Sequence, residues 1–242
     1  MSLDVVDTSA HTAQLQQAIL LYGMKSASVE YATLHRVSDG GQGQPMIGAG
    51  VPMTRDTLLM IARSLAASSR RSQGILPPNI LSLGVNHTVW YVPPHERTVF
   101  FDCKEGVGKR AGKTPHPALI FAVCRNEWSV FAIKTRQRPT AATKLYNAPY
   151  MNVWKEGGIC TGSTPLPNES VAETVDQWVQ AFFDSNFSHP NHDKVVRYEG
   201  GCHAFWKDAL DGKYRKFPNA VLTNSATKTL GDLVMRLEGG KA

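Results

Sequence analysis

Near the start of the chain, apolar and polar positions alternate with the period of a strand. Ala18 to Tyr22 is a short apolar run, and from Val29 to Val37 the residues Val29, Tyr31, Thr33 and His35 alternate with Glu30, Ala32, Leu34 and Arg36. Together the two runs predict a β-hairpin. At Thr54 the period lengthens: Thr54 can cap a helix that begins at Arg55, carries Asp56 in its first turn, sets Leu58, Ala62, Leu65 and Ala66 on one face and stops by Gly74.

From residue 75 the texture is that of strands. Thr88 to Val92, Thr98 to Phe101, Ala118 to Val123 and Trp128 to Ile133 are β-branched or aromatic runs. Pro93-Pro94, a glycine-rich loop and Arg125-Asn126 separate them, which predicts an antiparallel meander. After Pro165 and Pro167 the run Ser170-Val171-Ala172-Glu173 has the form of a capping box, and Val171, Val175, Trp178, Val179 and Phe182 follow at helical spacing. A helix from 171 to about 183 is expected, with weaker helical patterns at Phe205 to Leu210 and Lys228 to Leu237. Strands followed by helices make the fold α+β rather than a doubly wound sheet. Trp178 and Trp206 are read as core residues on helical faces.

Composition narrows the class. With 42% hydrophobic and 19% charged residues, the chain can bury a core without staples, and no run reaches the length and apolarity of a membrane helix. Met1-Ser2-Leu3-Asp4 lacks the basic start of a signal peptide, so a cytoplasmic protein is expected. A net charge of +6 favours an acidic partner, and no motif selects nucleic acid.

Two familiar motifs fail on inspection. Gly106 to Thr114 resembles a phosphate-binding loop, but valine stands at 107 where that loop needs glycine, and Pro115 and Pro117 follow in place of a helix. The segment is read as a mobile basic loop whose Lys104, Lys109, Arg110 and Lys113 attract a partner's acidic face. The four cysteines, Cys103, Cys124, Cys160 and Cys202, lack zinc-ligand spacing, so no metal site is expected. Cys103 and Cys124 sit in β-runs and read as small buried hydrophobes, whereas glycines flank Cys160 on both sides and set it in an exposed loop.

The segment Ala148-Pro149-Tyr150-Met151-Asn152-Val153-Trp154-Lys155-Glu156-Gly157-Gly158-Ile159-Cys160 sets an asparagine eight residues before a cysteine and ends in Gly-x-Ile-Cys. It resembles the active-site segment of E2 ubiquitin-conjugating (UBC-like) proteins, in which His-Pro-Asn precedes Gly-x-Ile-Cys at that spacing. With Thr161-Gly162-Ser163 following, it is similar to the prokaryotic branch known as protein B of the ParB-related, ThiF-related cassette (PRTRC). The resemblance implies an N-terminal α/β extension over 1–74 and a UBC-like meander-and-helix domain over 75–242. It implies a carrier that accepts a ubiquitin-like (β-grasp) protein from a ThiF-type adenylating enzyme as a thioester on Cys160 and passes it to an amine, without a cofactor.

Chemistry gives the spacing a reason. Transfer from a thioester builds a tetrahedral oxyanion, and an asparagine amide beside the sulfur can donate a hydrogen bond to it. Asn152 is the candidate donor. Tyr150-Met151 replaces the family's His-Pro, which bears on loop geometry more than on chemistry, and Thr161 replaces the usual leucine. No acidic residue near the cysteine is evident to take the amine's proton; His189 is the candidate for that role. Two other classes remain open at this point: a thiol hydrolase drawing on His189, Asn191, His192 or His203, and a non-catalytic module that only binds a ubiquitin-like protein. A pure binding module needs neither Cys160 nor Asn152.

Overall fold

The computed structural model describes residues 15–23, 29–40, 44–67, 76–84, 86–125, 127–167 and 172–239. The chain divides into two compact units, Met1–Arg71 and Ser72–Ala242.

In the first unit, β1 (Gln17–Gly23) and β2 (Val29–Asp39) form the expected hairpin, with Leu20 opposite Thr33. A third strand, β3 (Pro45–Pro52), lies antiparallel to β2 and was not foreseen. Bounded by prolines, interrupted by two glycines and exposed along its length, it lacks the alternation that marks a half-buried strand. Helix α1 (Arg55–Ala67) follows, and Thr54 Oγ1 caps it by accepting from the Thr57 amide at 3.2 Å. Its expected stop by Gly74 lies outside the described residues. Leu58 and Ala62, placed on one face by their spacing, are both exposed.

The second unit is built on a six-stranded sheet in the order β12-β10-β9-β8-β5-β4, antiparallel throughout. Its strands are β4 (Ile80–Leu83), β5 (His87–Val92), β8 (Ala118–Cys124), β9 (Glu127–Ile133), β10 (Lys144–Asn147) and β12 (Asn224–Thr229). A smaller sheet holds β6 (Glu96–Asp102) between β7 (Lys109–Pro115), antiparallel, and β11 (Asn186–Phe187), parallel.

The expected meander is therefore corrected: Thr98 to Phe101 does not sit between its neighbours in the sequence, and β5 pairs directly with β8. Burial accounts for the order. Every residue of β5 and the first six of β8 are buried, so these strands need cover on both faces and take central places. Strand β6 buries only Val99 and Phe101, and β7 carries lysines and arginine suited to an edge. The mobile basic loop is corrected likewise, since residues 109–115 are that edge strand. Arg110 pairs with Asp211 at 2.6 Å and Lys113 with Glu96 at 3.6 Å.

Among the described residues, three α-helices complete the unit. Helix α2 (Val175–Asp184) starts four residues later than its spacing suggests, because Ala172 and Glu173 form a turn and Thr174 takes the cap position. Ser170 and Val171 of the expected capping box lie outside the described residues. Helix α3 (Gly201–Leu210) and helix α4 (Leu230–Leu237) match the two weaker patterns. The capping box that does form belongs to α4: Thr229 Oγ1 accepts from the Asp232 amide, and Asp232 accepts from that of Thr229. One face of the large sheet packs against α2 and α3 in a core holding Trp90, Phe121, Tyr150, Phe182 and Trp206; α4 covers the other face with Leu230 and Leu233. Trp178 and Trp206 are core residues, as expected. Among the described residues no helix is long and apolar enough to cross a membrane.

Candidate active site

The chain that follows β10 begins buried and reaches solvent at Cys160. Tyr150 and Met151 have no exposed surface. The Tyr150 ring stacks on Phe187 and Trp206 and meets Phe182 edge to face, with centroids 5.0 to 5.6 Å apart. Its hydroxyl lies 2.9 Å from Nδ1 of the buried His116, whose Nε2 lies 3.3 Å from the Arg97 carbonyl. A carbonyl only accepts, so Nε2 carries the proton and Nδ1 accepts from the phenol. Burial pushes the His116 pKa down to about 3, which keeps the ring neutral for this role. Where E2 proteins have His-Pro, this chain therefore anchors the segment by a tyrosine–histidine pair, of which His116 comes from the turn before β8.

Beyond Tyr150 the chain makes a tight hairpin. Trp154 N–H donates to Gly158 O and Gly157 N–H to Trp154 O, both at 2.8 Å; Val153 bridges Ile159; and Cys160 N–H donates to Asn152 O at 2.8 Å. Asn152 and Cys160 thus stand opposite each other across an antiparallel pair. Opposed residues of this kind hold their Cβ atoms about 4.5–5.5 Å apart. The eight-residue spacing has a direct cause: it is the length of chain that leaves this pairing, turns and returns to it. Gly157 makes the turn feasible. Its φ is +91°, and a Cβ there would come within 2.4 Å of the Phe131 ring.

The returning arm is fixed to β9, since Val130 N–H donates to Gly157 O and Ile159 N–H to Trp128 O. Val153 on the outgoing arm is buried in the core, which turns Asn152 and Trp154 to the other side. Trp154 is 49% exposed, with its Cδ1 beside Gly158, so a large aromatic ring shares the hairpin face with Cys160.

Asn152 itself is buried, and its amide orientation follows from a chain of hydrogen bonds. Ser185 Oγ donates to Phe182 O at 2.7 Å and accepts from Asn152 Nδ2 at 3.2 Å. The hydroxyl has one hydrogen, already used, so the amide must present its nitrogen. One N–H of Asn152 is held by Ser185, and among the described residues the second is left for another acceptor. Its Oδ1 is buried without a partner among the described residues. An orphaned carbonyl costs about 1–3 kcal/mol, so Asn152 is a poor choice for packing alone.

Cys160 is exposed; Cys103 and Cys202 are buried and Cys124 half-buried. Burial raises the Cys103 thiol and pushes Cys202 up to about 12, so both stay protonated. After Cys160 the chain forms a turn in which Thr164 N–H donates to Thr161 O, with Gly162 at a φ of +52°. Cys160 and Asn152 open onto a groove of about 620 Å³. His189 lines the same groove, exposed, with Nδ1 3.0 Å from Ser188 Oγ. Three groove residues escaped the reading of the sequence: Ser185, which orients the amide, and Asp184 and Asp102, exposed carboxylates on the wall. Only the adjacency of Asp184-Ser185 to the end of a predicted helix pointed to the first two. Asp102 arrives from a distant hairpin and leaves no local signal. The Asp184 carboxylate accepts from Gln180 Nε2 at 2.7 and 2.8 Å.

Residues 57–225 match the family model described as Prokaryotic E2 family D, more than half of the chain. The chain belongs to this family. No curated protein and no solved structure matches it. Within this prokaryotic E2 the matched region includes the whole hairpin, the groove and the buried tyrosine–histidine anchor.

Proposed function

We propose that this prokaryotic E2 carries a ubiquitin-like protein as a thioester on Cys160 and passes it to an amine. The thiolate of Cys160 attacks the activated C-terminal carbonyl presented by a ThiF-type adenylating enzyme; a C–S bond forms and the activating group leaves. An amine then attacks the thioester carbonyl, the oxyanion forms, and its collapse breaks the C–S bond, returns Cys160 as thiolate and leaves an amide. Asn152 donates its second N–H to that oxyanion. His189, on the groove rim, takes the proton released by the amine. The β-grasp protein and the adenylating enzyme are the partners, and the setting is a plasmid-type PRTRC cassette.

The observation that carries this reading is the pairing of a fixed amide donor with an exposed thiol across one hairpin. The thiol-hydrolase reading needs a histidine hydrogen-bonded to the thiol, and among the described residues no hydrogen bond joins His189 to Cys160. Incubated with adenylating enzyme, ATP, magnesium and the β-grasp protein, the chain should form a slower-migrating adduct that a thiol reductant removes. Cys160→Ala should form none, and an adduct that survives in that variant would overturn the assignment of the nucleophile.

A further inference from the structure

A second concavity, of about 140 Å³, is lined by residues that take no part in the groove at Cys160. It lies where the turn between β5 and β6 meets the turn between β7 and β8, joined by His116 N–H donating to His95 O at 3.0 Å. Four cationic residues line it: Lys134 and Arg136 from just after β9, and Arg215 and Lys216 from the loop after α3. The backbone beside each pair is fixed. Tyr91 OH donates to the Arg136 carbonyl at 3.1 Å, and Phe217, next to Lys216, packs on Phe205 with centroids 5.7 Å apart.

Among the described residues none of the four has a carboxylate partner. Lys134 lies 4.4 Å from the centroid of the Tyr146 ring, which leaves its charge in place. Glu96 is the one acidic residue of the lining, and Lys113 already pairs with it. Collecting four like charges around one hollow raises the energy of the folded state until an anion enters. Pro94, Pro115, Pro117, Ala118, Ile133 and Phe217 give the walls an apolar part, and His95, His116, Thr135 and Asn219 complete them. Prolines offer no N–H, so an anion here is met by flexible side chains. A phosphate site is commonly built from backbone amides at a glycine-rich turn or a helix start.

We infer that this cleft is the docking site for an acidic, apolar-flanked peptide segment of a partner protein, its carboxylates on the four cations and an aliphatic side chain against the prolines. The site is independent of thioester chemistry at Cys160. The test is a fluorescence-anisotropy titration of the full chain with a fluorescein-labelled heptapeptide of four glutamates, two leucines and a proline. The peptide should saturate the protein, and Arg215→Glu/Lys216→Glu should weaken binding about tenfold, as should Lys134→Glu/Arg136→Glu from the opposite wall. Lys104→Glu/Lys109→Glu, an equal charge reversal in the turn after β6 and at the first residue of β7, should change it less than about twofold. No binding, an equal loss in all three variants, or displacement of the peptide by equimolar inorganic phosphate overturns the proposal.

Discussion

The two arms of the hairpin that joins Asn152 to Cys160 are built for opposite purposes. On the outgoing arm Tyr150, Met151 and Val153 are at most 1% exposed and Asn152 is 9% exposed, each locked to the core or to α2. The returning arm is tied to β9 by backbone hydrogen bonds, rises from Ile159, half-buried against the core, to exposed Cys160 and passes into a glycine-bearing turn. One arm fixes an amide and the other presents an exposed thiol, as the proposed transfer requires. An oxyanion donor is effective when it needs no reorganisation as charge develops, whereas a carrier cysteine must be reached by two large partners in turn. Rigidity and access are thus met by two strands that share one turn.

The comparison can be broken first at its most buried point. Tyr150→Ala should remove about 3–5 kcal/mol of stability, read by urea unfolding, because the ring is fully enclosed by aromatics. Tyr150→Phe should cost about 1–2 kcal/mol, since only the hydroxyl that satisfies His116 is lost. A loss near zero for Tyr150→Ala would mean that the outgoing arm is not held as described. Gly157→Ala comes next, at about 2–4 kcal/mol, because a left-handed backbone and contact with Phe131 act together. A neutral result there would dissolve the turn.

The same anchor predicts a pH dependence. His116 is held neutral in the folded state down to about pH 3, while the unfolded chain takes up a proton near 6.5. Its contribution is therefore fully present above 6.5 and is lost as pH falls, by about 1.4 kcal/mol per unit, or roughly 2 kcal/mol at pH 5. His116→Asn should flatten this part of the profile in unfolding experiments between pH 5 and 7. An unchanged slope would contradict the buried neutral ring. Smallest is Trp154→Ala on the open face, which should shift stability by under about 1 kcal/mol, since half of the indole is already in water.

What the sequence disclosed follows the same division. The hairpin was legible as a local spacing, because a pairing eight residues long needs only its own turn. Strands buried on both faces, such as Ala118 to Val123, announced themselves as apolar runs, and α3 and α4 as helical spacing. The order of strands did not: nothing local says that Thr98 to Phe101 leaves the large sheet for a partner as polar as β7. Nor could the anchor be read, since His116 and Tyr150 lie 34 residues apart and meet only once the core has closed. Ser185 was hidden for the same reason, being 33 residues from the amide it orients.

The most direct test of the donor arm is to time both half-reactions of Asn152→Ala. Loading of the ubiquitin-like protein onto Cys160 should stay within a few-fold of wild type, while single-turnover discharge to an amine should slow about 10²–10³-fold. The melting temperature should hold, because the residue removed leaves its own carbonyl unpaired. Equal slowing of both steps, or a fall in melting temperature large enough to account for the loss, would make Asn152 a structural residue and contradict the account.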